Sequence, residues 1–218
     1  MPRLKVQLCL TMRKSILIIL CFLPFSSLHA QTGCDVSQFK ALTIISEENS
    51  ISDTELETAV RLLKKLEHDK CSDYVTKNGT VIADRTHLFG EICLKKNDKK
   101  SVYEYVDYLK RQRGSAEEEL SFVFERLFQR QPKTVLLEVG DDKYLLDHLT
   151  WGFLNNHYYS PKDSERIKKK SGSVAQQLNR NNYKKIFFEQ NPQIKELYPG
   201  HKKQIDYLLH SIYLELNA

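Results

Sequence analysis

Residues 98–140, DKKSVYEYVDYLKRQRGSAEEELSFVFERLFQRQPKTVLLEVG, carry three consecutive helix signatures with their start and stop signals. Asp98 stands where an N-cap is needed, and Val102, Tyr105, Val106 and Leu109 follow at helical spacing until Gly114 breaks the run. Ser115 with Glu118 is a capping box, and it opens a second helix carrying Leu120, Val123, Phe124, Leu127 and Phe128. Pro132 takes the first position of a third helix, whose Val135–Val139 segment stops at Gly140. Connections this short turn successive helices back on one another. The predicted fold class is all-α: an irregular array of antiparallel helical hairpins, either an orthogonal bundle or a short α-solenoid-like domain. Two such hairpins between Asp98 and Asn156 recur at about 30 residues, the scale of helical repeats, although no residue signature repeats with them.

The same periodicity extends in both directions. Asp35 opens a helix with Val36, Phe39, Leu42 and Ile45 inward, and Ser52 with Glu55 forms another capping box ahead of the stripe Leu56, Val60, Leu63 and Leu66, which runs to about Lys70. After the break at Asn78 and Gly79, Val81, Ile82, Leu88, Phe89, Ile92 and Cys93 predict a helix to about Lys95. Gly90 counts against that helix, and Thr80 to Ala83 also read as strand. Asp141 or Asp142 starts a helix through Leu145, Leu146, Leu149, Trp151, Phe153 and Leu154, with apolar residues spread so widely that it should be covered on several sides. A polar helix from Ser160 and Pro161, a capping box at Ser173 and Gln176, and a segment from Tyr183 to Phe188 follow. Pro192 and Pro199 precede a last amphipathic helix with Ile205, Leu208, Leu209, Ile212, Tyr213 and Leu216.

Residues 12–30, MRKSILIILCFLPFSSLHA, have the anatomy of a secretory signal peptide. Arg13 and Lys14 form the basic start, Ser15 to Phe25 the apolar run, and small residues precede Ala30, after which cleavage is expected. Met12 then serves as a better start than Met1. The apolar run is about half of the ~20 residues that a spanning helix needs. A second anatomy, lipid anchoring at Cys34, has Gly33 suitably before the cysteine but polar Gln31 where an aliphatic residue is usual. The expectation is an exported protein, periplasmic or extracellular, with a signal at 1–30, one domain at 31–218 and no transmembrane segment in the mature chain.

Removing the signal changes the charge argument. Residues 1–30 hold Arg3, Lys5, Arg13 and Lys14 and no acid, so of the 33 Lys and Arg 29 remain against 28 Asp and Glu. That near-neutrality argues against nucleic acid as a partner. Residues 31–150 carry 18 basic and 22 acidic residues, and residues 151–218 carry 11 and 6, a polarity that could orient a docking partner. Cys9 and Cys21 leave with the signal, and Cys34, Cys71 and Cys93 remain. Three cysteines allow one internal disulfide. Cys71 with Cys93 is the expected pair, closing a loop of about 20 residues worth roughly 3 kcal/mol. Pairings of Cys34 with Cys71 or with Cys93 stay open.

Candidate chemistry is sparse. Asp84, His87 and Glu91, at i, i+3 and i+7, could share one helical face and offer a divalent metal an imidazole and two carboxylates, and an exposed polar stripe gives the same pattern. His148 and His157 flank the WGFLNN stretch, but adjacent Asp147 and His148 point in different directions on a helix and make a poor acid–base pair. No set of catalytic residues and no cofactor is expected. Aromatic residues suggest contact surface instead: Tyr103 and Tyr108, which lie off the apolar stripe of their helix, Trp151, and Tyr158 with Tyr159 at a predicted helix end. Lys168 to Lys170 read as a solvated turn, and Asn78-Gly79-Thr80 fits the glycosylation pattern.

These features lead to an exported helical module that binds a protein or peptide, in its most concrete form an inhibitor or immunity-type protein. The competing expectation is an envelope enzyme, such as a metal-dependent hydrolase using His87 and Glu91, or one built around His148.

Overall fold

A computed structural model describes residues 34–75, 81–113, 118–158 and 180–216. The expected signal peptide at 1–30, the glycosylation pattern at 78–80, Ser115, and residues 159–179 with Tyr159, Lys168 to Lys170 and the expected capping box at Ser173 lie outside the described residues.

The capping signals place the first helices where the sequence puts them. Asp35 accepts from the Ser37 amide and opens α1, Val36–Glu47. Ser52 and Glu55 complete their reciprocal capping box ahead of α2, Asp53–His68. A short antiparallel ribbon follows, β1, Asp73–Val75, against β2, Val81–Asp84. Asp84 then caps α3, Arg85–Lys96, by accepting from the His87 amide at 2.7 Å. The strand reading of this stretch and the helix reading each hold for one half of it, with Asp84 as the boundary. Asp98 caps α4, Lys99–Arg111. α5 is Glu118–Arg130, α6 is Pro132–Val139 with Pro132 in its first turn, and Gly140 ends α6 at a φ of 53°. Asp142 caps α7, Lys143–Phe153, which runs directly into a π-helical turn at Leu154–Tyr158. α8, Arg180–Gln190, α9, Pro192–Leu197, and α10, Lys202–Leu216, complete the all-α fold.

Alternate helices carry the packing. α1 lies on α3, α3 on α5, α5 on α7 and α7 on α10, and α5 meets α3 and α7 more broadly than it meets α4 or α6, its neighbours in the chain. A second row runs beside the first: α4 packs on α6 and α6 on α9, while the Lys100–Glu57 and Arg111–Glu67 ion pairs join α4 to α2. Phe124 and Phe128, one turn apart on α5, each anchor an aromatic cluster. Phe124 packs on Tyr105, whose ring stacks with Phe89, and Phe128 packs on Phe153, which meets Phe187 of α8.

Two glycines set how closely the first row closes on α5. A Cβ at Gly90 of α3 would come within 2.6 Å of a Val123 methyl. One at Gly152 of α7 would lie 2.6 Å from Glu125 Cβ and nearer still to the Ser121 carbonyl oxygen. Gly90, which weakens the helix signal, is therefore a packing residue.

The expected Cys71–Cys93 disulfide is not the one formed: Cys34 is bonded to Cys71, and Cys93 is a free, buried thiol. The reason lies at the end of α2. Lys70 adopts a left-handed φ of 56°, and the Cys71 amide closes back on the Leu66 carbonyl at 2.8 Å while that of Lys70 reaches Glu67, a Schellman reversal that delivers Cys71 to the start of α1. The register of α3 meanwhile turns Cys93 into the core, where burial, with Glu104 and Asp98 adding to it, pushes its thiol well up and keeps it protonated. Arg85 donates to the Cys71 carbonyl at 2.9 Å and fixes the turn from the other side. A disulfide at Cys34 and a thioether-linked lipid on the same sulfur exclude each other.

With 37 residues separating the two cysteines, loop closure is worth about 4 kcal/mol in the chain-entropy account. Peptide mapping without reductant should recover Cys34 joined to Cys71, with Cys93 open to alkylation only after denaturation, and Cys71→Ser should lower the unfolding free energy by up to about 4 kcal/mol. Recovery of a Cys71–Cys93 peptide would overturn the assignment.

Candidate functional site

The site is built on α7, which has one face in solvent and another pressed on α5. Position 151 lies one turn beyond Asp147, and Asp147 accepts from the Tyr207 hydroxyl of α10 at 2.8 Å. Together with the Lys203–Asp141 ion pair, this bond runs α10 parallel to α7. Leu214, seven residues beyond Tyr207, falls on the same side of α10 by helical period. Trp151, the chain's single tryptophan, is 47% exposed and Leu214 is 53% exposed. The Asp147 carboxylate pushes the Tyr207 phenol up, so this bond keeps its proton across the neutral range.

Beneath α7, α5 turns a polar stripe inward. Ser121, Glu125 and Gln129 recur every four residues, and each is engaged from a different element. Ser121, 4% exposed, is hydrogen-bonded to His148 Nδ1 of α7 at 2.7 Å. Glu125, only 2% exposed, accepts from Asn156 of the π-helical turn at 2.6 Å and from Gln129 at 2.9 Å. The Gln129 amide oxygen accepts from Gln193 of α9 at 3.1 Å. Gly152 admits α7 to this stripe, and the wider π turn just after it carries the Asn156 amide to the Glu125 carboxylate. In ELSFVFERLFQR, from Glu119 to Arg130, the three polar residues read as an outer face. Their four-residue spacing directly behind a glycine-bearing partner helix is the signal that marks them as inner.

His148 stands edge-on to the Tyr144 ring, with centroids 4.6 Å apart. Burial draws its imidazole below the ordinary histidine range, and Asp147 pulls the other way. A serine hydrogen-bonded to a neutral imidazole has the elements of a nucleophile and its base. Here Ser121 is 4% exposed, and the pair joins α5 to α7 across the helix crossing.

The residues singled out in the sequence separate into distinct settings. The metal trio does not converge: Asp84 caps α3, His87 Nδ1 meets Glu119 at 3.0 Å, and Glu91 pairs with Arg126 at 3.0 Å. The last two tie α3 to α5, and among the described residues no group of three or more His, Cys, Asp and Glu is placed to hold a metal. Tyr108 is buried, a correction to its expected surface role. α4 is covered by both α3 and α6, which widens its inner face; the Tyr108 ring stands edge-on to Phe89 and its hydroxyl meets Thr86 at 2.6 Å. Tyr103 is 54% exposed, on a different helix from Trp151. Tyr158 ends the π turn; the Tyr158 and His157 side chains lie outside the described residues, as does Tyr159. Among the described residues no helix is long and apolar enough to cross a membrane.

Compared with protein-family models, curated proteins and solved structures, the chain gives no match.

Removing the Glu125 carboxylate strands amide donors in a dry crossing. Glu125→Ala should destabilise the fold by about 1–3 kcal/mol in urea unfolding, whereas truncating the exposed Glu57 should change it by under about 1 kcal/mol. Equal small effects would remove the stripe from the account.

Proposed function

We propose that this chain is an exported helical module that binds a protein or peptide through the Trp151 face of α7 and α10. The carrying observation is the half-exposed indole one turn beyond Asp147, whose bond to Tyr207 joins α7 to α10, with Leu214 also exposed on α10. Large aromatic side chains supply contact area at little entropic cost, and a rigid helix pair presents them without reordering. The disulfide is compatible with an oxidising compartment, periplasmic or extracellular, and the signal anatomy of residues 12–30 agrees with it. The charge polarity between residues 31–150 and 151–218 supports docking in a preferred orientation, as an inhibitor or immunity-type protein would need. Tyr103 offers a second, separate contact on α4.

The test uses the full mature chain, oxidised, as bait in its exporting compartment, followed by affinity measurement on the partner recovered. Trp151→Ala should weaken that complex about 30-fold, the effect of losing an interface anchor. Ile44→Ala, at an exposed residue of α1, should leave it unchanged. Undiminished binding by both Trp151→Ala and Leu214→Ala would remove this face from the interface.

A further inference from the structure

We propose that His148 is an acid-sensitive latch between α7 and α5: its imidazole holds the Ser121 hydroxyl where glycine brings the two helices closest, and protonation loosens α7 together with the Trp151 face. The geometry leaves the charged ring little room to adjust. Gly152, one turn beyond His148, keeps the α7 backbone against the Ser121 carbonyl, and the Tyr144 ring closes one side of the imidazole. In the neutral ring Nδ1 can either accept from Ser121 or donate to it. In the charged ring it can only donate, so the serine proton must find another acceptor while a cation sits in a half-buried crossing.

Among the described residues, the charged groups near the ring are held by other partners, and the Asp147 carboxylate offsets only part of the burial cost. On α7 itself Asp147 is engaged by Tyr207 of α10. On α5, Glu125 accepts from Asn156 and Gln129, and Glu119 meets His87. From the end of α4, Arg113 lies over the Tyr144 ring at 5.2 Å and pairs with Asp142, while the Gln112 carbonyl accepts from the Tyr144 hydroxyl at 3.1 Å. Burial outweighs Asp147 and draws the imidazole down. An opened or unfolded state, with histidine at its ordinary value of about 6.5, therefore binds more protons than the closed crossing. The closed state keeps its full stability above that value and loses it as pH falls from there toward the lower folded value.

The latch itself rests on the crossing; only its effect on partner capture rests on the Trp151 reading. Amide exchange across α7 and emission of the single tryptophan are followed in the oxidised full chain between about pH 8 and about pH 5, with exchange corrected for its intrinsic pH dependence. The expected result is about a tenfold loss of α7 protection, with an emission change whose midpoint matches the His148 titration seen by NMR and lies below the ordinary histidine value. His148→Gln should abolish both changes. Protection of α7 that stays constant with pH in the wild-type chain would overturn the latch, as would the same transition persisting in His148→Gln. Neither readout involves a partner, so a failed binding reading would leave this test intact.

Discussion

The approach of α7 to α5 at Gly152 is the constraint on which the rest of the molecule depends. With no Cβ on that residue, the α7 backbone reaches the Ser121 carbonyl and the Glu125 stem. On the opposite flank Gly90 of α3 meets Val123 in the same manner. α5 is thus gripped from two sides, and its Phe124 and Phe128 then tie α3 and α4 to one end of the core and α7 and α8 to the other. Helix crossings this close gain dispersion contacts along their whole length, but they also exclude water from any polar group between them. Ser121, Glu125 and Gln129 follow from that exclusion: each must find its hydrogen bond across the crossing or from the elements beyond it.

Much of this was legible because the local signals are strong. The caps at Asp35, Ser52, Asp98 and Asp142, the Pro132 start and the Gly140 stop each satisfy or end helix hydrogen bonding by chemistry confined to a few residues. What failed to appear in the sequence depends on partners far along the chain. Tyr108 reads as outward from its own helix and is buried because α3 and α6 both cover it. Cys71 reads as a match for Cys93 by loop length, yet a single left-handed residue at Lys70 sends it to Cys34. Asp84, His87 and Glu91 share a helical period, but capping and ion pairs with α5 direct them apart. Gly90 looks like a helix defect until α5 is placed against it.

The two faces of α7 give the molecule its functional logic. The inner face buries Leu145, Leu149 and Phe153 and bonds His148 to Ser121; the neighbouring face leaves an indole half in solvent, one turn beyond the Asp147 that bonds α10. His148 lies between them, so a proton taken up on the inner side acts on the helix that presents the outer one. A disulfide at the far end of the row holds α1 and α2 against each other and leaves this crossing free to respond.

Urea unfolding of Gly152→Ala beside Gly90→Ala tests the central role of this crossing most directly. An ordinary mid-helix glycine gains about 0.5–1 kcal/mol on replacement by alanine. Here Gly152→Ala should instead cost about 2 kcal/mol or more, because a backbone must move, and Gly90→Ala should cost less, because only the Val123 side chain stands in the way. A Gly152→Ala protein as stable as the wild type, or more so, would contradict the account.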